Sequence, residues 1–149
     1  MARLEDLCAR GERCESELRT KLRTWQVASS EADAIIDSLR QRRFFDDARY
    51  TRAFVSDKLR FAHWGRVKIR MALRAKRIDE DIADEYLDTI DEDLYAKALD
   101  AVITAAARRV GEDAAHTYEG RTKIFRAAAS RGFESSLAAD AIRRRFPDR

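Results

Sequence analysis

Residues 44–90 read FFDDARYTRAFVSDKLRFAHWGRVKIRMALRAKRIDEDIADEYLDTI, and this stretch carries the clearest structural pattern in the chain. Its apolar residues recur at steps of three and four with acidic residues between them, as in the stripe of Ile82, Ala83, Tyr86, Leu87 and Ile90. That spacing places apolar side chains on one face of an α-helix, whereas a half-buried strand alternates them. Asp46 and Asp79 stand where N-cap residues precede helices. The stretch therefore predicts three successive helices.

The same periodicity extends outward over the whole chain and predicts an all-α protein without strands. The expected helices cover residues 2–10, 14–25, 30–42, 46–62, 65–77, 79–90, 92–110, 119–131 and 135–146. Ser30 with Asp33 is typical of a capping box at the third helix. Gly11, Gly111 and Gly132 follow helical stretches, as residues that end helices do.

Two shifts align the sequence with itself. A shift of 55 residues superposes the pairs Gly65/Gly120, Arg66/Arg121, Lys68/Lys123, Ile69/Ile124 and Ala72/Ala127, and a shift of 51 superposes Leu18/Ile69, Leu22/Leu73 and Val27/Ile78. A unit of three short helices is too small to bury its apolar face alone and packs on its neighbour. We therefore expect an elongated tandem array of three three-helix repeats, at residues 1–43, 44–91 and 92–149.

Composition favours a cytoplasmic protein. The 149 residues are 38% charged and include only 5 Gly and 1 Pro. No apolar stretch approaches the roughly 18 to 20 residues that span a bilayer, and the first residues, MARLEDLCAR, include acids where a signal peptide has an apolar stretch. We accordingly expect no membrane partner. Cys8 and Cys14 are the only cysteines, and we interpret both as reduced packing residues.

No group of residues predicts catalysis. His63 and His116 are isolated, without Cys, Asp or Glu at metal-ligand spacing, and no glycine-rich phosphate loop is present. The many carboxylates cluster on one predicted helix face, which is typical of a solvated surface. We therefore expect neither an enzyme nor a cofactor or metal.

Charge is strongly segregated behind the net value of +3. Residues 40–77 contain 13 Lys or Arg against 3 acids, whereas residues 79–100 contain 1 Lys against 10 acids. Such asymmetry indicates an anionic or mixed-charge partner. We expect one arginine face on the fifth helix, opposite Ile69 and Leu73, because four arginines recur there at steps of three and four: Arg66, Arg70, Arg74 and Arg77.

The basic residues that we expect to contact a partner or DNA are Arg42, Arg43, Arg49, Arg52, Lys58, Arg60, Arg66, Lys68, Arg70, Arg74, Lys76, Arg77, Lys123, Arg126 and Arg131. Arginine suits such contacts because its planar fork binds phosphate or carboxylate through paired hydrogen bonds. Two alternatives stay open. The arginines could simply keep a helix solvated, and the interleaved aromatics, including Phe61 and Trp64, could pack in a core or stack on bases.

Residues 44–90 also resemble the central module of the RecX regulatory family. The residues that carry the resemblance are Phe44, Phe45, Asp46, Asp47, Ala48, Arg49, Tyr50, Ala53, Phe54, Val55, Gly65, Lys68, Ile69, Leu73, Lys76 and Ile78. RCESELRTKL and KIFRAAASRGF resemble the first and third modules. The chain departs from the pattern at Cys14, where Ser is usual, and at Arg43 and Arg77, where Gly is usual.

The resemblance implies a non-catalytic regulator of the RecA recombinase. Members of the family form a curved array of three-helix units that lies in the groove of the RecA filament on single-stranded DNA. They repress its ATPase and strand exchange, and so modulate recombination and the SOS response to DNA damage. A monomer with weak DNA affinity of its own would fit this role. The rival interpretations are a direct nucleic-acid binder and a scaffold whose oppositely charged modules pair between chains.

Overall fold

The computed structural model describes residues 1–149, which form ten α-helices and no strand. The helices are α1 (Ala2–Arg10), α2 (Glu15–Thr24), α3 (Ser29–Gln41), α4 (Asp47–Arg60), α5 (Arg66–Ala75), α6 (Glu80–Asp88), α7 (Glu92–Val110), α8 (Glu112–Ala115), α9 (Tyr118–Ser130) and α10 (Ser135–Arg145). The all-α prediction is confirmed. Helix α8 was not predicted, because four residues are too few to show a periodicity. None of the ten helices combines the length and the apolar character needed to cross a bilayer.

Two of the predicted N-caps are present. The Asp46 carboxylate accepts a hydrogen bond from the backbone N–H of Arg49 at 3.0 Å, and the Asp79 carboxylate accepts one from Asp81 at 2.8 Å. These bonds satisfy amide groups that have no partner within the helix. The capping box predicted at Ser30 is wrong: α3 begins at Ser29 after Ala28, so Ser30 lies inside the first turn.

Several helices end in the same way, with one residue in the left-handed region. Gln26, Arg43 and Arg77 have φ of 59°, 58° and 57°, and Gly132 has φ of 89°. At each end the next backbone N–H reaches back to a carbonyl five residues earlier, as Ile78 does to Leu73 at 3.0 Å. This is the Schellman arrangement, which glycine adopts without strain. Arg43 and Arg77 therefore adopt the backbone conformation that glycine favours, and this conformation is strained for arginine.

We expect Arg77→Gly to stabilise the protein by about 1 kcal/mol, because a side chain in the left-handed region costs about 1 to 2 kcal/mol and glycine gives part of that back in entropy. Urea denaturation monitored by circular dichroism measures the change. Ala105→Gly, at an exposed position inside α7, is the control and should destabilise by roughly 0.5 to 1 kcal/mol. If Arg77→Gly loses stability as the control does, the backbone at Arg77 is not strained.

The chain folds as two compact units, and the first comprises Met1–Val55 and Ala72–Tyr86. Its largest buried cluster contains Leu4, Leu18, Leu22, Ala32, Ile36, Leu39 and Phe45. The N-terminus of α2 is held from two sides: the Glu15 N–H donates to Asp47 at 2.9 Å, and the Ser16 hydroxyl donates to the Lys76 carbonyl at 2.5 Å. Ala83 is buried as predicted, whereas Ile82 is only half-buried.

The second unit comprises Ser56–Met71 and Leu87–Arg149. Its core contains Leu59, Tyr95, Ala98, Leu99, Val102, Ile103, Ala106, Ala107, Ala115, Ile124, Ala128, Phe133, Ala138, Ile142 and Phe146. The N-terminus of α5 abuts the C-terminus of α9, where the Gly65 N–H donates to the Arg131 carbonyl at 2.7 Å and the Val67 N–H donates to Gly132 at 3.0 Å. A Cβ added at Gly65 would lie 2.4 Å from the Gly132 oxygen, so only glycine fits.

Candidate nucleic-acid and partner interface

The turn between α4 and α5 gathers cations around an aromatic ring. The ammonium groups of Lys58 and Lys68 each lie 4.6 Å from the centroid of the Trp64 ring. A cation at that distance is attracted by the negative face of the π-system. The turn is closed by a hydrogen bond from the Trp64 N–H to the Lys58 carbonyl at 3.0 Å. Trp64 therefore holds two ammonium groups, one from a residue before the turn and one from a residue after it.

Two arginines and an exposed phenylalanine complete this surface. Arg131 donates from Nη1 to the Ala62 carbonyl at 2.7 Å, and Arg60 is exposed with no carboxylate within 4.0 Å. Phe61, the first residue after α4, is 78% exposed. We call this surface, formed by Lys58, Arg60, Phe61, Trp64, Lys68 and Arg131, the basic turn. Four of these six residues are basic and none is acidic, so the basic turn favours an anionic partner.

Arg66 does not join the basic turn. Its guanidinium donates to Glu134 at 3.0 Å and to the Leu87 carbonyl at 3.0 Å, and it lies 4.0 Å from the centroid of the Tyr95 ring. The Tyr95 hydroxyl bonds to Glu134 and accepts the Arg66 backbone N–H. Burial, reinforced by the bond to Glu134, raises the pKa of Tyr95 well above its usual range.

The predicted exposed arginine face of α5 is therefore wrong at Arg66, whose side chain is only 24% exposed. Reversing Arg66 to Glu would place a second carboxylate against Glu134, so the variant would lose stability whatever its function. Arg70 is half-buried. Ile69 and Leu73 are buried as predicted, but the exposed side of α5 in the second unit carries Val67 and Met71.

In the first unit, most of the candidate basic residues pair with acids. The pairs are Arg42 with Glu5 at 3.0 Å, Arg49 with Glu12 at 2.8 Å, Arg74 with Glu80 at 2.5 Å and Lys76 with Glu17 at 3.0 Å. Exposed pairs of this kind contribute little stability, with a median near 0 to 1 kcal/mol. These four residues fit the alternative of a solvated, ion-paired surface.

The other candidates are exposed and have no carboxylate within 4.0 Å. They are Arg43, Arg52 and Arg77 in the first unit, and Lys123 and Arg126 on α9 in the second. Of the fifteen predicted residues, the structure thus brings Lys58 and Lys68 to the Trp64 ring and Arg131 to the same turn, which Arg60 adjoins in sequence. Their convergence could not be predicted from spacing, because Arg131 is 69 residues from the carbonyl that it binds.

The two cysteines and His116 occupy structural positions. Cys14 is buried at the N-terminus of α2, where its thiol takes part in a capping box with Glu17. Burial raises the pKa of both the Cys8 and the Cys14 thiols, which keeps them protonated. His116 Nδ1 bonds to the Pro147 carbonyl at 2.8 Å. No cluster of three His, Cys, Asp or Glu side chains is placed to hold a metal ion.

Comparison with known proteins gives consistent matches. Residues 46–87 match the family model described as RecX, second three-helix domain. The regulatory protein RecX of Clostridium beijerinckii is 28% identical over 130 residues, covering 87% of this chain and 60% of that protein. The chain thus spans about three fifths of the length of the first curated relatives it matches. The RecX of Chlorobium phaeobacteroides is 32% identical over 124 residues, covering 83% of this chain and 78% of that protein.

Solved structures share the fold. A crystal structure of a regulatory protein RecX has a TM-score of 0.83 at 23% identity, over 96% of this chain and 69% of the other. The crystal structure of RecX from Lactobacillus salivarius has a TM-score of 0.82 at 21% identity, over 97% and 92% of the two chains. The fold is thus common to these proteins, and the Chlorobium relative, most of whose length the chain covers, establishes that the chain belongs to the RecX family of regulatory proteins.

Proposed function

We propose that this chain binds the RecA filament on single-stranded DNA, inhibits the ATPase and strand exchange of RecA, and so modulates recombination and the SOS response. Family membership supports a regulatory role. The observation that supports a particular binding surface is the basic turn, in which Arg60 has no acidic partner. A polyanionic filament is a suitable target for such a surface. The proposal implies a cytoplasmic protein that acts as a monomer.

We further propose that the chain is built from three three-helix repeats, at residues 1–43, 44–91 and 92–149. The match of the second three-helix domain to residues 46–87 supports the middle repeat. The left-handed residues support the first and third repeats. Their positions, Gln26, Arg77 and Gly132, are separated by the same shifts of 51 and 55 that align the sequence with itself. Helices α2, α5 and α9, one in each proposed repeat, then end in the same way.

The basic turn also favours a second candidate function, direct binding of nucleic acid as the principal role. An exposed arginine without an acidic partner, such as Arg60, can bind phosphate irrespective of any protein. The two functions differ in what the chain recognises. A direct binder would act on DNA alone, whereas a filament regulator requires RecA.

The experiment that tests the proposal is the DNA-dependent ATPase of RecA from the same organism, titrated with the purified chain. We expect inhibition, and we expect added salt to weaken it because exposed charges are screened beyond about 8 Å near physiological ionic strength. RecA alone at each salt concentration is the control. Inhibition at substoichiometric amounts would indicate capping of filament ends, whereas a stoichiometric requirement would indicate coating of the groove. An ATPase unchanged at excess protein would contradict the proposal.

A further inference from the structure

The basic turn combines two kinds of group that single-stranded nucleic acid requires, namely cations at fixed positions and an exposed aromatic ring. The Lys58 and Lys68 ammonium groups are held by Trp64, and Arg131 is held by the Ala62 carbonyl. Phe61 contacts no other aromatic ring or cation and is 78% exposed. Exposure of a phenylalanine has a hydration cost, and an unpaired base would remove it by stacking.

From this arrangement we infer that the basic turn binds single-stranded DNA directly, with Phe61 stacking on an unpaired base and Lys58, Arg60, Lys68 and Arg131 contacting the phosphates on either side. The inference rests on the proposed function only in that the RecA filament supplies the single-stranded DNA. It assigns the DNA contact to the basic turn.

Charge favours nucleic acid over a protein at this surface. The basic turn has four basic residues and no acid, and the carboxylate of Glu134 pairs with Arg66, which lies outside the basic turn. Base stacking also explains why the turn presents a ring: every base has a π-face, so a ring serves any sequence. In a duplex the bases are already stacked on one another, and Phe61 has no free face to contact.

The test measures binding of the full chain to a fluorescent oligo-dT strand and to a duplex of equal length by anisotropy. We expect Phe61→Ala to weaken binding to oligo-dT about tenfold, the effect typical of losing one stacked base. Duplex affinity, which depends on the cations alone, should be unchanged. Phe61→Leu should lose as much as Phe61→Ala, because leucine keeps an apolar side chain but cannot stack, whereas Phe61→Tyr should retain the parental affinity.

Tyr118→Ala is the matched control, because Tyr118 lies at the start of α9 and is also 78% exposed. It should leave both affinities unchanged. Undetectable binding of oligo-dT by the parent, parental affinity in Phe61→Ala, or equal losses on single strand and duplex would overturn the inference. So would a Phe61→Leu variant with parental affinity, which would indicate an apolar protein contact. The RecA ATPase is absent from these measurements, so they fail or succeed independently of the proposed function.

Discussion

Replacing Gly65 by alanine should destabilise the protein by roughly 3 to 5 kcal/mol. The added Cβ would lie 2.4 Å from the Gly132 oxygen and 2.5 Å from the Phe133 nitrogen, and both are backbone atoms that cannot rotate away. Relieving the overlap separates α5 from α9. That separation costs the two backbone hydrogen bonds at Gly65 and Val67 and the packing of buried Phe133. Because native proteins have free energies of unfolding of about 5 to 15 kcal/mol, this loss would be a large fraction of the total stability.

Urea denaturation of Gly65→Ala measures this loss, and Gly11→Ala is its control. Gly11 has φ of 174°, which any residue adopts, and a Cβ there would meet nothing within 4 Å. We expect Gly11→Ala to be neutral or slightly stabilising, since alanine restricts the unfolded chain. Equal unfolding midpoints for Gly65→Ala and the parent would contradict the contact between α5 and α9.

The second large effect concerns function. Arg60→Glu combined with Arg131→Glu should raise the concentration needed for half-inhibition of the RecA ATPase by about 100-fold, because like-charge contacts with an anionic surface cost several kcal/mol. The fold should survive: both residues are exposed, and the only bond lost is that from Arg131 to the Ala62 carbonyl, worth about 1 kcal/mol. Steady-state ATPase titrations and thermal melts measure the two properties.

Arg143→Glu combined with Arg144→Glu makes the same change in net charge on α10, where both side chains are 75% exposed. This control should inhibit RecA nearly as the parent does. If both double variants lose inhibition equally, the effect is one of overall charge, and the basic turn has no special role. If neither loses it, Lys123 and Arg126 on α9 become the next candidates.

Local signals in the sequence were sufficient to predict most of the fold. The caps at Asp46 and Asp79 act on amides two or three residues away, and the buried positions of Ile69 and Leu73 follow from helical spacing. Helix starts of this kind depend on neighbours along the chain. The error at Ser30 arose where two serines precede Glu31 and the cap is neither of them.

Tertiary contacts explain what could not be predicted. Spacing placed Arg66 on an exposed face, but Glu134, 68 residues away, and the ring of Tyr95 draw its side chain against the core. Periodicity shows which face of a helix is polar but not which polar residue meets a distant partner. Likewise, nothing near Gly65 in the sequence indicates that the backbone of Gly132 approaches it. The candidate interface therefore depends on contacts that only the folded chain reveals.

The most direct measurement is the affinity of the labelled chain for RecA filaments formed on oligo-dT with a non-hydrolysable ATP analogue, beside RecA alone and oligo-dT alone. We predict that the filament is bound at least about tenfold more tightly than either component, a difference of about 1.4 kcal/mol. The Arg60→Glu, Arg131→Glu variant should bind the filament at least about tenfold more weakly than the parent does, because both substitutions place like charge against an anionic surface. A filament bound no more tightly than oligo-dT alone would contradict filament regulation and favour a direct nucleic-acid binder.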